Sequence, residues 1–217
     1  MAFQVKSQDG CVIVTLDRPP VNAVDPQAVA ALGAWAAAYE DEQPVVLTGA
    51  GASFSAGVDV RAFAAADAAG RQAFFAGITA MVRALVALPV PLVAAVNGHA
   101  LGGGLVLALC ADRRIAAEGS ARYGLTEAKA GVPFPDGPIE VIKAEVPSAL
   151  LRRMTLSSEV VSGQVLVEHG VFDLLVPPDE VLVRAIADAR AMAAQPAFTE
   201  VKRQIRGGLA ARLAALP

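Results

Sequence analysis

Residues 92–110 read LVAAVNGHALGGGLVLALC and carry the clearest indication of the fold. Residues 92–96 are all apolar, which is typical of a buried strand, and the glycine-rich residues 97–104 predict a turn. The apolar residues that follow, as far as Cys110, predict a buried helix. A strand that is apolar on both faces is typical of a parallel sheet with helices on both sides, so we expect an α/β fold.

The same order of strand, glycine-rich turn and helix occurs earlier in the chain. Residues 44–48 form a compact apolar run that predicts a strand, residues 49–57 are rich in glycine, and residues 58–88 have helical patterning. Near the N-terminus, Asp9-Gly10 separates two β-branched runs, which predicts a β-hairpin.

The pattern changes in the last third of the chain. From Pro138 onwards it is mostly helical, with one further strand expected at residues 171–176. We therefore divide the chain into an α/β core, residues 1–137, and a C-terminal mostly helical region, residues 138–217.

The composition argues against several classes of function. The 217 residues are 55% hydrophobic and carry a net charge of −3, which does not favour a nucleic-acid partner. Two cysteines, Cys11 and Cys110, are too few for a disulfide scaffold, so we expect a cytoplasmic protein. The first ten residues lack the apolar core of a signal peptide, and prolines and glycines interrupt the apolar residues 84–111, so we expect no membrane segment.

Metal and nucleotide chemistry find little support in the motifs. His99 and His169 are far apart and stand in no metal-ligand spacing, so we expect no metal. Gly49-Ala50-Gly51 follows a predicted strand, but Phe54 occupies the place of the third glycine of a dinucleotide-binding turn.

Two glycine-rich segments remain, FSAGVDV at residues 54–60 and NGHALGGG at residues 97–104. Each follows a predicted strand and precedes a predicted helix, so each presents unpaired backbone N–H groups that favour negative charge. Facing each other, the two segments would form an oxyanion hole. Alternatively, the small residues only allow the helices to pack closely on the sheet.

In this order and at this separation, the two segments resemble those of the crotonase superfamily, the enoyl-CoA hydratases and isomerases. The similarity runs from about residue 3 to about residue 205, and it includes Leu16-Asp17-Arg18-Pro19, Cys110-Ala111-Asp112 and the segment 123–131. It implies a core of repeated ββα units wound into a spiral, followed by helices, and a homotrimer or hexamer. Because this chain ends at Pro217, we expect part of the substrate pocket to be missing or to come from another subunit.

The resemblance also implies roles for individual residues. The N–H groups of Val58 and Gly103 would hold the thioester carbonyl oxygen of an acyl-CoA, where charge develops as an enolate forms. Arg61 matches a basic residue near the CoA phosphates, although it is equally well explained as a solvated helix charge. The residues expected around the substrate are Ala23, Ala56, Gly57, Asp59, Val60, Arg61, Gly102 and Val106.

The acid and base residues decide between the reactions of the superfamily. Hydratases of the family use two glutamates, and this chain has Val106 at the first of those positions and Glu127 at the second. A lone carboxylate can move a proton between two carbons of one acyl chain, as in the Δ3,Δ2-enoyl-CoA isomerases. Burial would raise the pKa of Glu127, unless it is an ordinary surface carboxylate at a helix start. Asp136 is a second candidate acid, although Pro-Asp-Gly is also a common turn sequence.

We therefore predict an enzyme that isomerises 3-enoyl-CoA to 2-enoyl-CoA, with CoA entering as part of the substrate and no separate cofactor. The first alternative is a hydratase or another crotonase reaction, such as dienoyl-CoA isomerisation, decarboxylation or thioester hydrolysis. The second alternative, from a different class, is an acyl-CoA-binding scaffold without turnover.

Overall fold

The computed structural model describes residues 3–217 of the chain. Its strands are β1 (Phe3–Gln8), β2 (Cys11–Leu16), β3 (Val45–Gly49), β4 (Ser53–Ser55), β5 (Leu92–Val96), β6 (His99–Leu101), β7 (Arg113–Ala117), β8 (Tyr123–Gly124), β9 (Val160–Val161) and β10 (Leu174–Val176). They form a six-stranded sheet in the order β1-β2-β3-β5-β7-β10 and a four-stranded sheet in the order β4-β6-β8-β9.

Helices follow or separate most of these strands. They are α1 (Pro26–Ala37), α2 (Val60–Ala65), α3 (Ala68–Ala87), α4 (Gly103–Leu109), α5 (Glu127–Ala130), α6 (Asp136–Glu145), α7 (Ser148–Thr155), α8 (Gly163–Glu168), α9 (Val181–Ala193) and α10 (Phe198–Ala214).

A repeated ββα unit explains why the chain needs two sheets. β3 and β4, β5 and β6, and β7 and β8 are three successive pairs, and in each pair the first strand joins the large sheet and the second joins the small sheet. A helix follows each pair. The α/β class and the repeated ββα core expected from the sequence are confirmed.

The large sheet is covered on both faces, as the apolar strands predict. On one face, Val46 and Val93 pack with Ala185 and Ile186 of α9. On the other face, residues such as Leu47 pack with α1, α3 and α4 in the larger core. Apart from the N-terminal hairpin, neighbouring strands of this sheet are parallel. The carboxyl ends of β3, β5 and β7 therefore lie at one edge, and each leads into a strand of the small sheet.

The structure refines several boundaries of the predicted elements. The hairpin at Asp9-Gly10 is confirmed, and its strands pair from Gln8 and Cys11 outwards. The helical residues 58–88 divide into α2 and α3, because the side chain of Asp67 accepts a hydrogen bond from Gly70 N (2.7 Å) and so begins a new helix.

The C-terminal region contributes to both sheets and covers the core. β9 pairs with β8 of the small sheet, and β10 pairs with β7 of the large sheet. α10 is fixed by buried ion pairs, in which Lys202 Nζ lies 2.6 Å and Arg206 Nη1 3.0 Å from the carboxylate of Asp112. The division of the chain at residue 137 and the trimer or hexamer stay predictions.

Candidate active site

The two glycine-rich segments meet backbone to backbone. Gly57 has a left-handed φ of +80°, and a Cβ atom placed on it would lie 2.5 Å from Leu101 O and 2.7 Å from Gly103 N. A Cβ atom on Gly104 would overlap Ser55 O in the same way. These contacts are closer than any side chain allows, so both positions require glycine. The expected facing of the two segments is present.

Asn22 fixes the loop that leads into the first segment. Its side chain is buried, and Nδ2 donates hydrogen bonds to Ala50 O (2.9 Å) and Ser53 O (2.8 Å). The hydroxyl of Ser55 donates to Asn22 O (2.7 Å) and accepts from Gly57 N (3.1 Å). Asn22 therefore holds both ends of the turn between β3 and β4, and Ser55 links it to Gly57, the residue before Val58.

The amides of Val58 and Gly103 are adjacent and free. Val24 N donates to Gly57 O (2.8 Å) and Asp59 N donates to Val24 O (2.9 Å), which turns the intervening Val58 N–H away from Val24. Gly103 is the first residue of α4 and has no acceptor one turn earlier. A Cβ atom on Gly103 would lie 3.6 Å from Val58 N. Neither amide donates a hydrogen bond within residues 3–217, so the pair can receive an oxyanion.

Glu127 lies next to this pair of amides. It is the first residue of α5, and its Oε1 lies 3.0 Å from the position that a Cβ atom on Gly102 would take. Its Oε2 is buried and has no hydrogen-bond partner in the described part of the chain. Burial raises the pKa of Glu127 to about 7. A carboxyl group with this pKa can both accept and return a proton near neutral pH.

A cavity of about 550 Å³, including its open mouth, connects these groups. Val58, Gly103 and Glu127 line it together with Val106, which is buried and lies three residues after Gly103 on α4. Among the lining residues within the described chain, Glu127 alone carries a titratable side chain. The cavity therefore offers one acid–base group beside two free donors.

Most of the residues predicted for the site line this cavity, and the others lie beside it. The lining includes Ala56, Val58, Val60, Gly102, Gly103, Val106 and Glu127. Asp59 instead caps α2. Arg18 Nη1 donates hydrogen bonds to Asp59 Oδ2 (3.0 Å) and to Ala23 O (3.2 Å), and so links these two residues. Gly57 acts through its backbone contact with Gly103.

Two further predicted residues, Arg61 and Asp136, are also absent from the cavity lining. Arg61 is exposed on α2, where a solvated charge needs no further explanation. Asp136 is exposed in the first turn of α6, and the Pro-Asp-Gly sequence begins that helix. A role for Asp136 as a second acid gains no support from this position.

The sequence did not identify one wall of the cavity. Phe75 and Ile78 of α3 and the segment 132–135 before α6 line it. The spacing of three residues between Phe75 and Ile78 puts both on one helix face, which was the available signal. Helical periodicity alone does not predict that the face of α3 carrying Phe75 and Ile78 borders this cavity.

Two further findings concern the residues that the structure describes. Within residues 3–217, no group of three or more His, Cys, Asp or Glu side chains could hold a metal ion. No helix in this range has both the length and the apolar composition that a membrane crossing needs.

Two free amides beside a buried carboxyl group are the groups that an enzyme needs to stabilise an oxyanion while a proton moves. Residues 6–215 match the enoyl-CoA hydratase/isomerase family, and the chain belongs to this family of the crotonase superfamily. The protein is therefore an acyl-CoA enzyme of the crotonase type, as predicted. Which reaction of the family it performs stays a prediction.

Individual relatives agree with this assignment. The carnitinyl-CoA dehydratases of Salmonella arizonae and Salmonella typhimurium are each 35% identical, and the matches cover 89% and 79% of this chain and 77% and 67% of those relatives. A solved enoyl-CoA hydratase/isomerase family protein from Pseudomonas syringae has a TM-score of 0.90 at 27% identity, covering 99% of this chain and 94% of its own. A probable enoyl-CoA hydratase from Mycobacterium tuberculosis has a TM-score of 0.90 at 25% identity, covering 99% and 92%.

Substitution of Gly57 tests whether the contact between the segments supports catalysis. Gly57→Ala should lower kcat/KM for an acyl-CoA substrate by at least about 100-fold, because the new methyl group displaces the Gly103 amide. Gly51→Ala is the matched control, since Gly51 also has a left-handed φ (+70°) but open space around its Cβ position. The control should lose about 1–2 kcal/mol of stability and keep its activity. Equal activity in both variants would contradict the role of Gly57.

Burial of Glu127 predicts a pH-dependent cost in stability. Because its pKa is raised from 4.5 to about 7, the folded state binds more protons than the unfolded state between these pH values, and stability falls as pH rises. Glu127→Gln removes this cost. The free energy of unfolding of the variant should exceed that of the wild type by at most about 3 kcal/mol at pH 8 and should match it near pH 4.5.

Urea denaturation at several pH values measures this difference. Asp136→Asn is the control, because it removes a carboxylate that is exposed in the first turn of α6 and lies outside the cavity lining. A constant difference between wild type and Glu127→Gln would show that Glu127 is well solvated.

Proposed function

We propose that this enzyme isomerises 3-enoyl-CoA to 2-enoyl-CoA, with Glu127 as the group that moves the proton. The observation that carries the proposal is the position of Glu127, the one titratable side chain in the cavity lining of the described chain, beside the free amides of Val58 and Gly103. CoA enters as part of the substrate, and the reaction needs no metal ion and no redox cofactor.

The proposed reaction is a proton transfer along one acyl chain. The carboxylate of Glu127 removes a proton from C2, and the electron pair of that C–H bond delocalises into the thioester carbonyl. The N–H groups of Val58 and Gly103 stabilise the charge that develops on the carbonyl oxygen. Glu127 then returns the proton to C4 as the C3–C4 double bond becomes a C2–C3 double bond. One group on one face can perform both steps.

Val106 disfavours the addition of water in this proposal. Hydration needs a polar group that orients the water molecule as well as one that transfers its proton. The Val106 side chain is apolar and buried, and it lines the cavity where the resemblance places the first glutamate of hydratases. An apolar wall at this position leaves a water molecule with a single carboxylate partner.

Dehydration of a 3-hydroxyacyl-CoA is the second candidate, and the names of the 35% identical relatives favour it. Dehydration is the reverse of hydration and passes through the same transition state, so the apolar Val106 disfavours it too, and Glu127 alone would have to remove the C2 proton and protonate the leaving hydroxyl group. This reaction uses the same oxyanion hole and the same base. Dehydration differs from isomerisation in that a hydroxyl group leaves C3, whereas isomerisation removes no group from the acyl chain.

Assays of purified protein separate these candidates. We expect formation of the conjugated thioester from 3-hexenoyl-CoA and little hydration of 2-hexenoyl-CoA. Glu127→Gln should lower kcat by about 100- to 10,000-fold with little change in the affinity for substrate, because the amide cannot accept the proton. Asp136→Asn, outside the cavity lining, is the matched control and should keep its activity.

Other outcomes select other members of the family. Faster conversion of 3-hydroxyhexanoyl-CoA than of 3-hexenoyl-CoA would replace the isomerase with the dehydratase. Binding without turnover of any of these thioesters would indicate the scaffold. Full activity of Glu127→Gln would contradict both enzyme mechanisms.

A further inference from the structure

The wall of the cavity formed by α3 and the start of α6 is strongly apolar. Phe75 and Ile78 from α3 line the cavity together with Phe134 and Pro138. Ile78 and Pro138 are themselves buried, so they close this part of the cavity rather than border open solvent.

A backbone contact locks this wall in place. Thr79 follows Ile78 on α3, and Gly137 precedes Pro138 on α6. Thr79 and Gly137 are in contact. A Cβ atom on Gly137 would lie 2.9 Å from Thr79 Cα, and Gly137 N donates a hydrogen bond to Thr79 Oγ1 (3.2 Å). α3 and α6 therefore cannot separate without losing this contact, which keeps Ile78 and Pro138 in the cavity lining.

The cavity is poorly suited to a cationic acyl chain. Within the lining that the structure describes, such a chain would meet one carboxyl group, that of the base Glu127, and two aromatic rings, Phe75 and Phe134. Quaternary ammonium groups in proteins are usually held by several aromatic faces. Here one face of Phe75 is already stacked on Phe63, with ring centroids 5.1 Å apart and an interplanar angle of 16°. A buried cation without such partners costs much of its hydration energy.

We propose that this cavity accepts an uncharged aliphatic acyl chain whose length is limited by Ile78, and that it discriminates against the trimethylammonium-bearing chain of a carnitinyl thioester. The proposal rests on the proposed function in taking this cavity as the acyl site. It separates this chain from the relatives whose names specify carnitinyl-CoA.

A pair of ligands with the same shape tests the discrimination by charge. The dissociation constants of 4-trimethylammoniobutanoyl-CoA and of its uncharged carbon analogue, 5,5-dimethylhexanoyl-CoA, are measured by calorimetry. Both are saturated and lack a leaving group at C3, so binding is measured without turnover. We expect the uncharged thioester to bind at least about ten-fold more tightly. Equal affinity, or tighter binding of the cation, would overturn the proposal.

A second measurement tests the role of Ile78. Ile78→Ala should raise the affinity for dodecanoyl-CoA relative to hexanoyl-CoA by at least about ten-fold, because the space of the missing side chain admits further methylene groups. Ile78→Val, which removes less volume, should give a smaller shift in the same direction if the alanine variant folds poorly. Ile205→Ala changes an exposed isoleucine of α10 outside the cavity and should leave the ratio unchanged.

The binding measurements can contradict the proposed substrate preference without contradicting the proposed reaction, and the reverse also holds. An unchanged ratio in both Ile78 variants would overturn the limit on chain length even if the wild type isomerises 3-hexenoyl-CoA. Conversely, tight binding of the uncharged thioester without isomerisation would refute the proposed reaction and support the substrate class.

Discussion

The absence of side chains at a few glycines is the constraint on which the site depends. Gly57 lies against the backbone of Leu101 and Gly103, and Gly104 lies against Ser55. The same approach brings β4 beside β6 in the small sheet. Two chain segments separated by about forty residues thus present the amides of Val58 and Gly103 side by side. Backbone donors held by the fold need no reorganisation when charge develops, which is the source of their catalytic value.

Desolvation connects the chemistry of the site to its stability. The apolar surroundings that leave Oε2 of Glu127 without a partner raise its pKa to about 7. A carboxylate in water, with a pKa of 4.5, would be a weaker base for a carbon acid. The enzyme accepts a less stable folded state at neutral pH in return for this reactivity. Apart from Glu127, the cavity lining of the described chain is uncharged and mostly apolar, so a cationic acyl chain would lose hydration there with little to replace it.

Much of the fold and the centre of the site could be predicted from the sequence. The apolar run 92–96 and the glycine-rich segments predicted the buried strand and the facing amides, because these features are set by local composition and by backbone geometry. Family resemblance added Glu127. β6 was not predicted, because its three residues are defined by pairing with β4 and β8, which lie far away in sequence.

The other features that were not predicted from the sequence also depend on contacts between residues far apart in the chain. Which face of α3 borders the cavity depends on where α6 packs, and this is fixed by the contact between Thr79 and Gly137. Whether Arg61 and Asp136 point into a site depends on tertiary orientation, which residue type does not determine. Local sequence thus specifies elements and backbone donors, whereas the walls of the cavity arise from long-range packing.

In the proposed reaction, one carboxyl group carries a proton from C2 to C4 of the same acyl chain. The most direct test follows deuterium from C2 of 2,2-dideutero-3-hexenoyl-CoA in ordinary water, with NMR analysis of the 2-hexenoyl-CoA product. A single buried carboxyl group predicts that a measurable fraction of the deuterium is recovered at C4. Product that carries no deuterium at C4 would contradict this account, because a different group or the solvent would then supply the second proton.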